Sequence, residues 1–189
     1  GICGNLIANS SIEECFSSID VSGAANNVGG LVGNSENSNI IDSYVTDTTV
    51  KSSANHSGGL VGLIKDSSIE YCYSRANVIG QDSVGGLAGL SEGSITIKNS
   101  AALNNELSGT NKDNLNKILG QGDSKGINNS FSLQKMTINF VGTKSDSDSY
   151  KHTHTALDGT EKASSAIIVP LLNLDTSIWN TSSQYPVHK

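Results

Sequence analysis

Gly59-Leu-Val-Gly-Leu-Ile-Lys-Asp-Ser-Ser-Ile-Glu-Tyr-Cys-Tyr-Ser-Arg-Ala-Asn-Val78 decides the fold, because the chain repeats it. Its opening returns as Gly30-Leu-Val-Gly33 and Gly86-Leu-Ala-Gly89, with Gly1-Ile-Cys-Gly4 before them and a degraded Lys117-Ile-Leu-Gly120 after. Its second half, Ile69-Glu-Tyr-Cys-Tyr73, returns as Ile12-Glu-Glu-Cys-Phe16 and Ile40-Ile-Asp-Ser-Tyr44. Weaker copies are Ile97-Lys-Asn-Ser-Ala101 and Ile127-Asn-Asn-Ser-Phe131. A third apolar position follows at Val21, Val50 and Val78, with Leu107 and Met136 as the later members. The period is therefore close to 28 residues, the signature of a stacked architecture.

The apolar stretches in each copy are short, rich in Val and Ile, and bounded by Gly, Ser and Asn. That pattern favours strands over helices. One copy cannot bury its own apolar side. Stacked copies can, with each strand pairing to its equivalent about 4.8 Å above. Glycine is expected at the corners, where positive φ costs it little. The fold class is all-β: a right-handed parallel β-helix of about five coils over residues 1–136. Residues 137–189 lose the period and form a polar loop and a non-repeating C-terminal cap. Equivalent residues form columns: Ile12, Ile40, Ile69, Ile97 and Ile127; Phe16, Tyr44, Tyr73 and Phe131, interrupted by Ala101; and Cys3, Val32, Val61, Ala88 and Leu119. All three are expected inside. Residues 166–186, with the sole Trp at 179, are expected to fold back over the last coil and cover its open edge, while the first coil stays poorly covered. Thr110 to Leu115 is expected to bulge out or begin a short helix.

Composition agrees. Aromatics make up only 5% of 189 residues, yet the apolar residues recur at intervals, which a disordered chain lacks. The net charge is −6 with no basic cluster, which argues against nucleic acid as partner. No apolar run approaches the ~20 residues needed to span a bilayer.

The Gly-Leu-x-Gly cores at 30–33, 59–62 and 86–89, with the continuation Ser68-Ile-Glu-Tyr-Cys-Tyr-Ser74, resemble the GLUG motif. The tail Ile178-Trp-Asn-Thr-Ser-Ser-Gln-Tyr-Pro186 resembles the Trp…Tyr-Pro ending of such arrays. The resemblance implies a piece of a larger exported bacterial polypeptide, secreted or at the cell surface, of the kind found in adhesin-like proteins and in zinc metalloproteases that cut immunoglobulin A1. In those proteases the array is distinct from the catalytic domain, so the resemblance implies location and architecture more than activity.

The residues offer little chemistry. A zinc peptidase needs His-Glu-x-x-His on one helical face, and none occurs. The histidines stand at 56, 152, 154 and 188; His152 and His154 are placed to share one side of a strand, with no Cys or third His nearby in sequence. The cysteines at 3, 15 and 72 have no Cys-x-x-Cys spacing. Cys15 and Cys72 share a column with Ser43, Ser100 and Ser130 and read as small packing residues, two coils apart and too distant for a disulfide. Ser145-Asp-Ser-Asp-Ser149 has carboxylates at a spacing seen in some calcium loops but lacks the Gly and distal Glu of an EF-hand. Asp20 or Asp42 with Glu13 and Glu14 is the acid set from which a polysaccharide-acting β-helix enzyme would be built; the acids do not recur at equivalent positions and Arg75 is the sole Arg. The expectation is no catalytic, cofactor or metal residues: a structural, adhesive or binding module facing a host protein or glycan. The first alternative is the substrate-recognition region of a secreted protease of the immunoglobulin A1 type, and the second is the polysaccharide enzyme.

Overall fold

In the computed structural model, which describes residues 1–142, 152–182 and 184–189, every sheet of the repeat region is parallel and joins equivalent strands of successive copies. The strands Cys3–Leu6, Val32–Glu36, Val61–Lys65, Ala88–Glu92 and Leu119–Gln121 form one sheet. A second is built on Ser11–Glu13, Asn39–Ile41, Ser68–Glu70, Thr96–Lys98 and Ile127–Asn128. Three further sheets complete a parallel β-helix of about five coils.

The columns fall in the register read from the sequence. Ile69 pairs with both Ile40 and Ile97, Val61 with Val32 and Ala88, and Tyr73 with Tyr44 and Ala101. One member differs. The column Val21, Val50, Val78, Leu107 continues to Ile138, not Met136. The corner after Phe131 is longer than those before it, so Met136 falls in the turn, where it is still buried. The main core is aliphatic, with Leu31, Leu60, Leu87 and Ile118 and the Ile column at its centre.

The aromatic column is not inside. Tyr44 and Tyr73 belong to a second cluster, while Val45, one residue on, sits in the main core. Alternation along a strand places them on opposite faces. The rings therefore form a ladder on the outer surface: Phe16 stacks on Tyr44 at 5.2 Å and Tyr44 on Tyr73 at 4.9 Å, both with 9° between planes.

The corners also differ from expectation. Left-handed φ recurs at Glu14, Asp42, Tyr71, Asn99 and Asn129, and at Asn27, His56 and Ser83. Among the described glycines only Gly93, Gly122 and Gly159 have positive φ. Asn and Asp, which tolerate this region best after Gly, take several of the turns. The glycines in the motif, and the one just before each core, serve closeness instead. A Cβ on Gly29, Gly58 or Gly85 would overlap the carbonyl oxygen three residues later, and one on Gly62 would run into the backbone of Asn27 and Val28 in the preceding coil.

The Ser/Cys column holds the corner next to the ladder. The amide of Cys15 donates to Ser43 Oγ (3.1 Å), that of Ser43 to Cys72 Sγ (3.4 Å), that of Cys72 to Ser100 Oγ (3.1 Å) and that of Ser100 to Ser130 Oγ (3.4 Å). Each side chain in turn donates to the carbonyl two residues back. A small donor–acceptor is needed there because the turn leaves an amide that the strand ladder does not reach.

Pairing continues past residue 136. Thr137–Phe140 joins Glu106–Gly109, and Thr160–Lys162 lies on Phe131–Leu133 as the start of a sixth coil. The segment around Thr155 to Lys162 covers the end of the helix: Leu157 packs on the core and its carbonyl accepts from the Ile118 amide. Lys112–Asn114 is a short 3-10 helix capped by Asn111. At the other end Ile2, Ile7, Phe16 and Ile19 are exposed.

Residues 166–186 thus do not cap the last coil. Ser165–Ile168, the 3-10 turn Val169–Leu172 and the hairpin Trp179–Asn180/Val187–His188 run back along the flank and cover the aromatic ladder. The end is already closed by residues 155–162, whereas the outward rings have no other cover. Trp179 is 1% exposed, but on the side of the helix.

Candidate functional site

The outer ladder with its covering segment is the most elaborated surface of the molecule. The sheet built from Phe16–Ser17, Tyr44–Val45, Tyr73–Ser74, Ala101–Ala102 and Phe131–Leu133 sets the rings one coil apart. Where Ala101 interrupts the ladder, Ile168 and Leu172 of the tail join the cluster. The Trp179 indole N–H donates to Asp42 Oδ1 at 2.7 Å, and its ring tilts against Tyr44 and Tyr73 at 5.6 and 6.0 Å. His188 Nε2 donates to the Asp42 carbonyl at 2.7 Å, and the Tyr73 hydroxyl to the Pro186 carbonyl at 2.5 Å. The Arg75 guanidinium lies 3.6 Å from the Tyr185 ring centre, a cation–π contact. Burial raises the Tyr73 hydroxyl above its ordinary pKa. Phe16, at the first coil, is 55% exposed where the tail stops short.

A second concentration of polar groups sits at the covered end. Lys117 Nζ, almost fully buried, pairs with Glu161 at 2.6 Å and donates to the Leu133 and Gln134 carbonyls. Asp158 is buried; Oδ1 accepts from the Lys117 amide (2.6 Å) and Oδ2 from the Thr155 amide (2.7 Å), with His152 Nε2 at 3.0 Å and His154 Nδ1 at 3.5 Å. Burial alone would raise this carboxyl, but the bonds from His152 and the two amides outweigh it and hold it below the ordinary value. The structure so brings His152 and His154 together with Asp158 and Glu161, though not on a strand. The carboxylate lone pairs are already taken by backbone amides. Among the described residues no three His, Cys, Asp or Glu side chains converge as a metal site. Sequence reading pairs the two histidines but misses Lys117, Asp158 and Glu161, which lie up to 44 residues apart and carry no local motif.

The carboxylates weighed for glycan chemistry are placed as follows. Asp20 Oδ1 accepts from the Thr48 hydroxyl (2.9 Å) and the Thr49 amide (2.8 Å), tying the first coil to the second, and those bonds lower its pKa. Asp42 holds the tail. Cys72 is buried and its thiol is pushed well above the ordinary value by burial, which disfavours the nucleophilic thiolate. Cys15, in the first described coil, is only half-covered. Ser145 to Ser149 lies outside the described residues. Arg75 pairs with Asp47 at 3.0 Å as well as stacking on Tyr185. Among the described residues, no helix is long and apolar enough to cross a membrane.

These features define a parallel β-helix whose coils carry a Gly-Leu-x-Gly turn. The family model of the GLUG motif matches residues 24–51, about the length of one coil. A solved structure of a proposed immunoglobulin A1 protease from Bacteroides ovatus has the same fold, with a TM-score of 0.79 and 22% identity over 100% of this chain. The chain spans 63% of the length of that protein. No curated protein matches it in sequence.

Proposed function

We propose that this chain is a non-catalytic structural or binding module of an exported bacterial surface protein, a rigid β-helix that displays or docks something outside the cell. The observation that carries this reading is where the polar groups go. Asp20, Asp42, Asp158 and the Ser/Cys column hold coil to coil, tail to flank or cover to core. A hydrolase would instead need a pair of acids, one free to give and one to take a proton, facing a cleft. The GLUG motif and the likeness to a protein named as an immunoglobulin A1 protease support an extracellular setting. The same likeness favours a second reading, in which the module recognises the host-protein substrate of a secreted protease.

The test has two arms. The purified chain is incubated with immunoglobulin A1 and with a polysaccharide panel, and no new fragments or reducing ends are expected. It is then screened for binding to plasma proteins and glycans. Selective capture of immunoglobulin A1 would support the second reading over the first. Cleavage abolished by Glu13→Gln or Asp42→Asn would overturn both.

A further inference from the structure

The covering segment is attached in an unusual way. Among the described residues, none of the backbone–backbone hydrogen bonds made by residues 164–189 reaches residues 1–162. The two strands Trp179–Asn180 and Val187–His188 pair only with each other. The link to the helix runs through side chains: Trp179 to Asp42, Tyr73 to the Pro186 carbonyl, His188 to the Asp42 carbonyl, Asn129 to the Leu171 carbonyl, and Tyr185 against Arg75. Ile168, Leu172, Leu174, Ile178, Trp179 and Tyr185 of the tail belong to the ladder's cluster, and no tail residue belongs to the aliphatic core. Neither the solenoid's strand ladders nor its aliphatic core includes a residue of the segment. In physical terms the segment is a ligand that happens to be tethered.

We propose that the outer aromatic ladder is a docking groove for the 165–188 segment, and that a second copy of the chain supplies this segment in trans. The contact set is selective. It asks for an indole N–H opposite Asp42, a carbonyl opposite the Tyr73 hydroxyl and a ring beneath Arg75, spaced along an extended flank. The chain's only Trp and the Tyr185-Pro186 pair meet all three. Each copy therefore carries both groove and ligand. Exchange between copies forms the same contacts as closure within one copy, which is the condition for swapping at low energetic cost. Closure within the chain dominates at low concentration, because a short tether gives an effective concentration on the order of millimolar. On the crowded cell surface of the function proposed above, on which this step rests, the trans arrangement competes.

The full-length double variant Trp179→Ala/Tyr185→Ala removes the tail's two aromatic anchors, which loosens its hold on the groove, and removes the only Trp. A synthetic peptide of residues 164–189 then brings the sole indole, so its emission reports docking without background. Saturable 1:1 binding with a blue shift is expected. A fluorescein-labelled version of the peptide should bind the wild-type chain at least about 100-fold more weakly, its groove being occupied. Adding Asp42→Ala to the double variant should weaken binding at least about tenfold. For the chain itself, light scattering should show a dimer that grows with concentration after refolding and dissolves in excess peptide. Absence of peptide binding by a variant that keeps its β-sheet circular dichroism would overturn the groove. A variant that loses that signal would make the tail part of the fold and would overturn the groove equally. A wild-type chain that stays monomeric at near-millimolar concentration would overturn the second copy as partner.

Discussion

Gly62→Ala adds one methyl group at a place where the neighbouring coil leaves no room for it. The new Cβ would fall within 2.5 Å of the Asn27 Cα and the Val28 amide nitrogen, both backbone atoms of the preceding coil. A flexible side chain could swing away; these atoms are fixed by their own strand pairing, so two coils must separate locally. Overpacking in a core costs about 1–3 kcal/mol where side chains can adjust. With backbone on both sides the upper end is the floor, so we expect at least about 3 kcal/mol. For a chain of this size that is a fall of roughly 6–12 °C in melting temperature. Two variants at the same motif position separate space from backbone conformation. Gly33→Ala meets the carbonyls of Gly4 and Asn27 at 2.7 and 2.9 Å, and Gly4→Ala meets nothing within 4 Å. Thermal melts followed by far-ultraviolet circular dichroism should rank the losses Gly62→Ala, then Gly33→Ala, with Gly4→Ala within about 0.5 kcal/mol of wild type, as for a surface substitution. None of the three glycines has positive φ. Equal losses at all three would refute the steric account and return the motif to a conformational one.

Further outcomes can be checked with small amounts of protein. Asp158 has a folded pKa below its ordinary 3.8, so its stabilising effect is complete above that value and lost as pH falls through the lower, folded one; amides of residues 155–162 should lose hydrogen-exchange protection in that acid range before those of the central coils, and protection unchanged down to global unfolding would count against it. Thiol titration of the denatured, unreduced chain should count three, and in the native chain Cys72 should react far more slowly than Cys3 and Cys15; a count of one would mean a disulfide and a wrong register. Trp179 emission should be that of a buried indole and should shift red in denaturant before the β-sheet signal falls, because the tail undocks first; coincident transitions would contradict a separately held tail.

The coil register is legible in the sequence because stacking repeats every column, and five copies average out local noise. Which face a column occupies is not. An inward Ile69 and an outward Tyr73 produce equally regular columns, and the outward rings look apolar only because a distant segment covers them. The same distance hides the tail's destination. Its apolar content shows that it must be buried, but two apolar surfaces compete for it, and residues 155–162, which read as polar loop, close the other. The column of Val21, Val50, Val78 and Leu107 slips from Met136 to Ile138 because corner length varies between coils while strand register does not. The motif glycines stand out in the sequence, but not the reason for them: a sequence shows that a side chain is missing, not whether torsion or space forbids it. Lys117, Asp158 and Glu161 cannot be read at all, since a buried ion pair between single residues far apart leaves no pattern.

The tail's anchor points make it a gauge. In a β-helix each coil touches only its neighbours, so coils can be gained or lost in the middle with little strain. Here the tail binds Asn129 through Leu171 and Asp42 through Trp179, two corners three coils apart. That separation is about 14 Å at a rise of about 4.8 Å per coil. One coil more or fewer would displace one anchor by a full rise while the tail between residues 171 and 179 stayed the same length. Docking therefore fixes the coil count between the two corners, in an architecture that otherwise has no means of counting.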